Sequence, residues 1–324
     1  MNGKILLAVG VVLMSASVAW SEYQHHRRQP PEGAKLHKFS TTVERERPEL
    51  NEETRALINA YRRDPSEANR KALEKQVLAN YDKVIARKKA KLEELRKTAK
   101  EQSKVKEMEE IVREVVADKE HRIAQSMARF TDKRLKPGVR EAKDGFHPVL
   151  GAKTTISIAH TEVTNAEFKR FRVSWPNDDD KPAVNISYQD ALAYCAWLSK
   201  SDSCSSGRAG APRTPQTKYR LPSADEWECA AGHMPKDADF NAKGEDGAIV
   251  SVGKYAKTLS ASGAIDMWGN VWEWTSSDLK NGKAVKGGAF DAGRTKCRTE
   301  ERNESRDPTK GYANVGFRVV REDK

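Results

Sequence analysis

Polar and apolar positions along this chain change character several times. Ile5 to Met14 is almost wholly apolar, preceded by Lys4 and followed by the small residues Ser15 to Ala19. Ile5 to Ala19 is shorter than the roughly 20 apolar residues a spanning helix needs. Residues 1–19 therefore read as a secretory signal cut after Ser17-Val-Ala19, or as an uncleaved anchor. Residues 20–49, with His25-His-Arg-Arg28 and Pro30-Pro31, read as an exposed linker. A helical rhythm then takes over. One helix is expected from Asn51 to Arg63, broken at Asp64-Pro65, with Asp64 or Ser66 capping the next. From Glu67 to about Lys100 strong helix formers dominate, and Leu73, Val77, Tyr81, Val84, Leu92 and Leu95 lie on one stripe. A second run carries Val105, Met108, Ile111, Val112, Val115, Ile123, Met127 and Phe130. Narrow stripes on helices of about 50 Å must meet each other or another chain. Residues 50–135 are thus a helical hairpin or coiled-coil stalk, and Lys88 within the first stripe favours the hairpin. Its functions would be spacing, self-association or presentation of a partner surface.

After a linker at 136–145 containing Lys136-Pro-Gly138, short apolar runs and turn residues replace the long charged helices. Residues 146–322 read as a loop-rich α+β domain. Thr164 or Asn165 caps a helix to Phe171, Ser187 caps Tyr188 to Ser199, and Ser223-Ala-Asp-Glu226 is a capping box that turns Trp227 inward. Between Lys200 and Lys218 the run of Ser, Gly, Pro and Arg reads as a surface loop. The segment Gly263-Ala-Ile-Asp-Met-Trp-Gly-Asn-Val-Trp-Glu-Trp274 is the densest in chemistry. Its Trp residues supply buried area, its Gly residues permit tight backbone, and Asp266 and Glu273 offer oxygen ligands to a hard cation.

Composition narrows the picture. The mean hydropathy of −0.79 excludes an integral membrane protein, although an uncleaved amino-terminal segment would still tether the chain. A net charge of +11 suits solubility or an acidic partner. No nucleic-acid-binding pattern accompanies it, so nucleic acid is rejected as a partner. In an exported chain Cys195, Cys204, Cys229 and Cys297 are able to pair, in three possible connectivities. Their spacings match no zinc signature.

Several motifs occur in a fixed order: Thr161-Glu-Val-Thr-Asn-Ala-Glu-Phe168, Lys181-Pro-Ala-Val-Asn-Ile-Ser-Tyr188, Ala193-Tyr-Cys-Ala-Trp197, Tyr219-Arg-Leu-Pro-Ser-Ala-Asp-Glu-Trp-Glu228, the Gly263–Trp274 segment, Lys286-Gly-Gly-Ala-Phe290 and Asn314-Val-Gly-Phe-Arg318. Together they resemble the formylglycine-generating enzyme, or sulfatase-modifying factor, family from about Phe146 to Val320. That resemblance implies a C-type-lectin-like α+β fold. It also implies a structural calcium held by Asp266, Gly269, Val271 and Glu273, and a second site near Asp239, Asn241 and Asp246.

The family's oxidising members use two cysteines five residues apart to bind copper(I). Here Ala292 stands at the first position and Cys297 at the second, so copper is disfavoured. Cys297 is then either a surviving thiolate nucleophile or metal ligand, activated by Arg294, Lys296 and Arg298, or a disulfide partner or idle thiol. The helical region lacks the His-x-x-x-His-x-Glu iron-binding pattern of ergothioneine-synthase relatives, which disfavours iron-dependent sulfoxide synthesis. Arg302, Arg306 and Arg318 read as structural partners, with anion binding by Arg302 as the lesser alternative.

The expected function is that of an exported, periplasmic or extracellular, calcium-stabilised maturation factor or pseudo-enzyme of altered chemistry, with a protein or peptide partner. The alternative is a non-catalytic lectin-like module for peptide or glycan. Its extreme form is a retroelement-diversified variable protein, with Ala289 to Asn314 as the variable surface.

Overall fold

A computed structural model of the chain describes residues 51–99, 102–135, 142–205, 217–235 and 238–323. The expected signal or anchor, the linker 20–49, residues 136–141 and most of the 200–218 loop lie outside the described residues. The chain divides into two compact units between residues 139 and 140.

The first unit is built on helices α1 (Glu52–Arg63), α2 (Glu67–Thr98), α3 (Gln102–Ala117) and α4 (Lys119–Phe130). Asn51 caps α1 through Thr54 N, and Ser66 caps α2 through Asn69 N. Asp64 instead closes α1, its N–H donating to Ala60 O, while its carboxylate accepts from Asn69 Nδ2. Arg96 pairs with Glu109 at 2.7 Å and Lys119 with Asp82 at 2.5 Å. These rungs descend along α2 as they ascend from α3 to α4, so the chain folds back antiparallel. The hairpin alternative is therefore the one taken within this chain. Such exposed pairs fix register more than they stabilise. Apolar burial does more: Ile58, Leu73, Val77, Tyr81 and Met127 form one cluster, and Leu92, Val105, Met108 and Ile111 another. Among the described residues no helix is long and apolar enough to cross a membrane.

The second unit carries two four-stranded sheets. Strands β1 (Phe146–Pro148), β2 (Ile156–Ala159), β8 (Val320–Glu322) and β3 (Tyr219–Arg220) form the first, in that order and all antiparallel. The second runs β6 (Ser305–Arg306), β5 (Gly282–Lys286), β4 (Trp272–Leu279), β7 (Val315–Gly316). Its β4–β7 pair is parallel, with Glu273 opposite Gly316. That register brings the end of the Trp-rich segment beside the strand that leads into Arg318.

Helices α5 (Asn165–Phe171), α6 (Tyr188–Ser205) and α7 (Ala224–Ala231) complete the unit. Capping boxes at Thr164–Glu167 and Ser223–Glu226 begin α5 and α7, and Ser187 Oγ accepts from Asp190 N at the start of α6. Phe168, Tyr194, Trp274 and Phe317 belong to one apolar cluster, and Ile156, Ile158, Trp227, Phe240 and Trp268 to the other. Gly269 shows how tightly the loops approach. With φ of +77°, it leaves room for Asn241 O, which a Cβ would meet at 2.2 Å.

Truncating Ile58, which is fully buried where α1 meets α2, removes packing that the helical unit cannot replace. Ile58→Ala should cost about 2–5 kcal/mol, read as a lower helix melting temperature by circular dichroism.

Candidate functional site

The Gly263–Trp274 segment gets its shape from four residues of positive φ, Gly263 (φ 99°), Asp266 (φ 54°), Gly269 (φ 77°) and Asn270 (φ 61°). Asp and Asn tolerate this region better than most side chains. The turns send the indoles inward, and three indole N–H groups around the site find acceptors. Trp268 donates to Thr299 Oγ1 at 3.0 Å, Trp274 to Ile186 O at 3.0 Å, and Trp227 to Glu273 Oε2 at 2.7 Å.

Glu273 and Arg318 meet at the centre, both essentially sealed from solvent. Arg318 Nε contacts Oε1 at 2.9 Å and Oε2 at 2.7 Å, and Nη2 contacts Oε1 at 2.7 Å. The remaining donors reach main-chain oxygens of Ala159, His160, Ile265 and Asp266. Glu162 lies beside them, fully buried. Its Oε1 accepts from Asn270 Nδ2, while Oε2, 3.8 Å from Arg318 Nη2, has no hydrogen-bond partner among the described residues. Burial, reinforced by the Asp266 charge, pushes the Glu162 carboxyl well above the usual range, and Arg318 offsets only part of this. Burial likewise raises Asp266. Burial, and then Arg318, lowers His160.

Asp266, Gly269, Val271 and Glu273 do lie along one turn, but the carboxylates of this set are a poor fit to calcium as arranged, because Glu273 is taken up by protein donors and Asp266 is engaged through one oxygen. A carboxylate offers about four lone-pair positions. Those of Glu273 are approached by three N–H groups: Arg318 Nε–H, shared between both oxygens, Arg318 Nη2 and Trp227 Nε1. Asp266 Oδ2 already accepts from Gly253 N at 2.6 Å. Nor are Asp239, Asn241 and Asp246 gathered into a second ligand set. Asp246 holds Lys254 and Tyr255, and the buried Asn241 amide donates to Ala248 O and Asn270. Among the described residues no cluster of three or more His, Cys, Asp or Glu suits a metal ion.

Cys297 ends a short 3-10 turn, Arg294–Cys297, and is completely buried. Gly288 (φ +82°) covers it so closely that a Cβ there would stand 2.2 Å from Sγ. The cations expected to activate the thiol are directed elsewhere. Arg294 lies over the Phe240 ring at 4.1 Å and donates to Ala238 O, Lys296 pairs with Glu301 at 3.1 Å, and Arg298 Nε donates to Thr295 O. This geometry places Cys297 in the apolar core, with its thiol away from the surface of the described residues. Cys195, Cys229 and Cys297 are buried thiols, and no disulfide joins them. The Cys204 side chain lies outside the described residues. Ala292 is half-buried, packs against both apolar clusters, and bridges Ala289 O and Lys243 N with its backbone.

Two arrangements escaped sequence reasoning. Lys286, fully buried on β5, donates to Glu228 Oε1 at 3.1 Å and Thr299 O at 2.8 Å, and Arg302 grips both oxygens of the same carboxylate. Arg302 is thus a structural partner, beside a cavity of about 110 Å³ that Asp225, Ser277 and Glu304 also line. His147 Nε2 and His160 Nδ1 also meet, at 2.7 Å. Only the motif containing Glu228 hinted at the first, and nothing in the spacing hinted at the second.

Residues 113–323 match the model of the sulfatase-modifying factor enzyme 1-like domain. The chain belongs to that family. Its α+β domain therefore has the family's C-type-lectin-like fold, preceded by helices. The family match begins inside α3, upstream of the division at residue 139.

Among curated relatives, hercynine oxygenase of Mycobacterium tuberculosis is 34% identical over 116 residues, 31% of this chain and 23% of that protein. The inactive C-alpha-formylglycine-generating enzyme 2 of Bos taurus is 31% identical over 124 residues, 31% of this chain and 34% of its own length. The chain thus spans about a third or less of these relatives. Among solved structures, PvdO from Pseudomonas aeruginosa covers 56% of this chain and 88% of its own, at 20% identity and a TM-score of 0.42. Treponema denticola variable protein 1 covers 56% and 92%, at 16% identity and a TM-score of 0.36.

Two outcomes follow for the family domain. The Glu162 carboxyl is raised by folding, so its favourable contribution is complete below the unfolded value and disappears as pH climbs through the folded one. Glu162→Gln cannot ionise and keeps an acceptor for Asn270. It should melt higher than the parent at about pH 8 and converge with it towards about pH 4. Cys297, sealed by Gly288, should react with a thiol reagent only after denaturation, which mass mapping of labelled peptides checks.

Proposed function

We propose that the protein is a maturation or scaffolding factor that uses its sulfatase-modifying-factor domain to engage a protein or peptide partner, without oxidising cysteine through copper. One observation carries this reading. Copper(I) of the two-thiolate type needs a pair of soft ligands. This chain has Ala292 at one position and, at the other, a thiol closed beneath Gly288. Similarity to a protein named an inactive formylglycine-generating enzyme supports the same direction. The resemblance to hercynine oxygenases covers 23% of that protein and brings no oxygenase chemistry into the proposal. The apolar run from Ile5 to Met14 supports a site of action outside the cytoplasm.

A second reading, a lectin-like binding module, is favoured by the edge of the Ala289–Asn314 segment. There the half-buried Arg306 guanidinium lies 5.9 Å from the Tyr312 ring, and the half-buried Asn314 amide donates to both oxygens of the exposed Asp291. Aromatic and planar cationic groups of this kind suit peptide or sugar faces.

The deciding assay incubates the full chain with a Cys-x-Pro-x-Arg peptide, copper and oxygen, and follows the peptide by mass spectrometry. No aldehyde product is expected. Conversion that disappears in Cys297→Ser would establish a one-thiol oxidase and overturn the proposal.

A further inference from the structure

The buried cation at the centre of the family domain has a consequence for metal dependence. We infer that Arg318 takes over the cross-linking role expected of a structural calcium, so that the Gly263–Trp274 segment is ordered without a divalent cation. A structural metal gathers oxygens from segments distant in sequence, and the guanidinium does so here. It collects the carbonyls of Ala159 and His160 at the end of β2, those of Ile265 and Asp266 in the Trp-rich turn, and the carboxylate of Glu273 on β4. Arg318 itself hangs from the chain just after β7, so one side chain joins four stretches.

The same contacts occupy the carboxylate that a cation between Asp266 and Glu273 would need. The lone pairs of Glu273 face Arg318 and Trp227. The Asp266 carbonyl, at the left-handed turn, already accepts from Arg318 Nη2 at 3.1 Å. A dication bound between Asp266 and Glu273 would stand next to a fixed positive charge with little water to screen it.

Other polar groups of the turn are closed by protein as well. Gly253 N donates to Asp266 Oδ2, and Asn270 exchanges hydrogen bonds with Glu162, Asn241 and both backbone groups of Val250. Arg318 compensates Glu273 directly through a contact of 2.7 Å.

The test uses the full chain without substitution. Its melting temperature is measured after dialysis against EDTA, and again with excess calcium chloride, while bound calcium is quantified by elemental analysis. The expected result is one melting temperature under both conditions and far less than one calcium per chain. A melting temperature that falls in EDTA and recovers with calcium would overturn the inference. So would a retained equivalent of calcium that Asp266→Asn releases. Glu273→Gln adds an independent arm, because it breaks the guanidinium contact. Its destabilisation should be the same with and without calcium, whereas a loss seen only in the presence of calcium would identify Glu273 as a metal ligand.

Discussion

A single buried ion pair, Arg318 with Glu273, sets the conditions that the family domain must meet. Both groups are removed from solvent, and removing one partner of such a pair typically costs about 3–5 kcal/mol because the other is left uncompensated. The pair is not an efficient way to gain stability, since apolar replacements often do as well. Its value lies in specificity. Seven donor contacts from one rigid, planar group can be made only when β2, the Trp-rich turn, β4 and the segment after β7 are all in place. The positive φ values at Asp266, Gly269 and Asn270 are the backbone's accommodation to that requirement.

A comparable logic governs the Cys297 region. A thiol that works as a nucleophile or metal ligand needs access and an activating charge. Around Cys297 the chain uses the same positions for packing: Gly288 presses on the sulfur, Arg294 covers Phe240, and Ala292 joins the two apolar clusters. The nearby Lys286–Glu228–Arg302 group ties β5, α7 and the coil after the 3-10 turn, which holds that packing in one arrangement. The outer edge near Asp291, Arg306, Tyr312 and Asn314 keeps its polar side chains at least partly exposed.

The helical unit is organised by simpler physics. Its stripes are too narrow for a large core, and α2 is longer than any single partner helix, so α1, α3 and α4 share its length. Two apolar clusters result, one around Ile58 and Leu73 and one around Leu92 and Met108. Charges on the opposite faces are largely solvated, and their ion pairs mark register.

Local rules made much of this readable in advance. Helix boundaries followed from Asn51, Ser66, Thr164, Ser187 and Ser223, because a capping oxygen and an apolar stripe act over one or two turns and are written contiguously. The ordered motifs gave the fold of residues 146–322, and the absence of a thiol at Ala292 was visible by inspection. The fate of Glu273 was not. Its side chain suits a cation in general, and only the parallel pairing of β4 with β7 decided that the cation beside it is Arg318. Whether Cys297 is open or sealed depended on Gly288, and the meeting of His147 with His160 depended on strand register. Sequence thus determined which side chains are available and where helices begin. Tertiary structure alone decided which of them meet, because lone pairs, charges and sulfur atoms are satisfied by neighbours in space and not by neighbours in the chain.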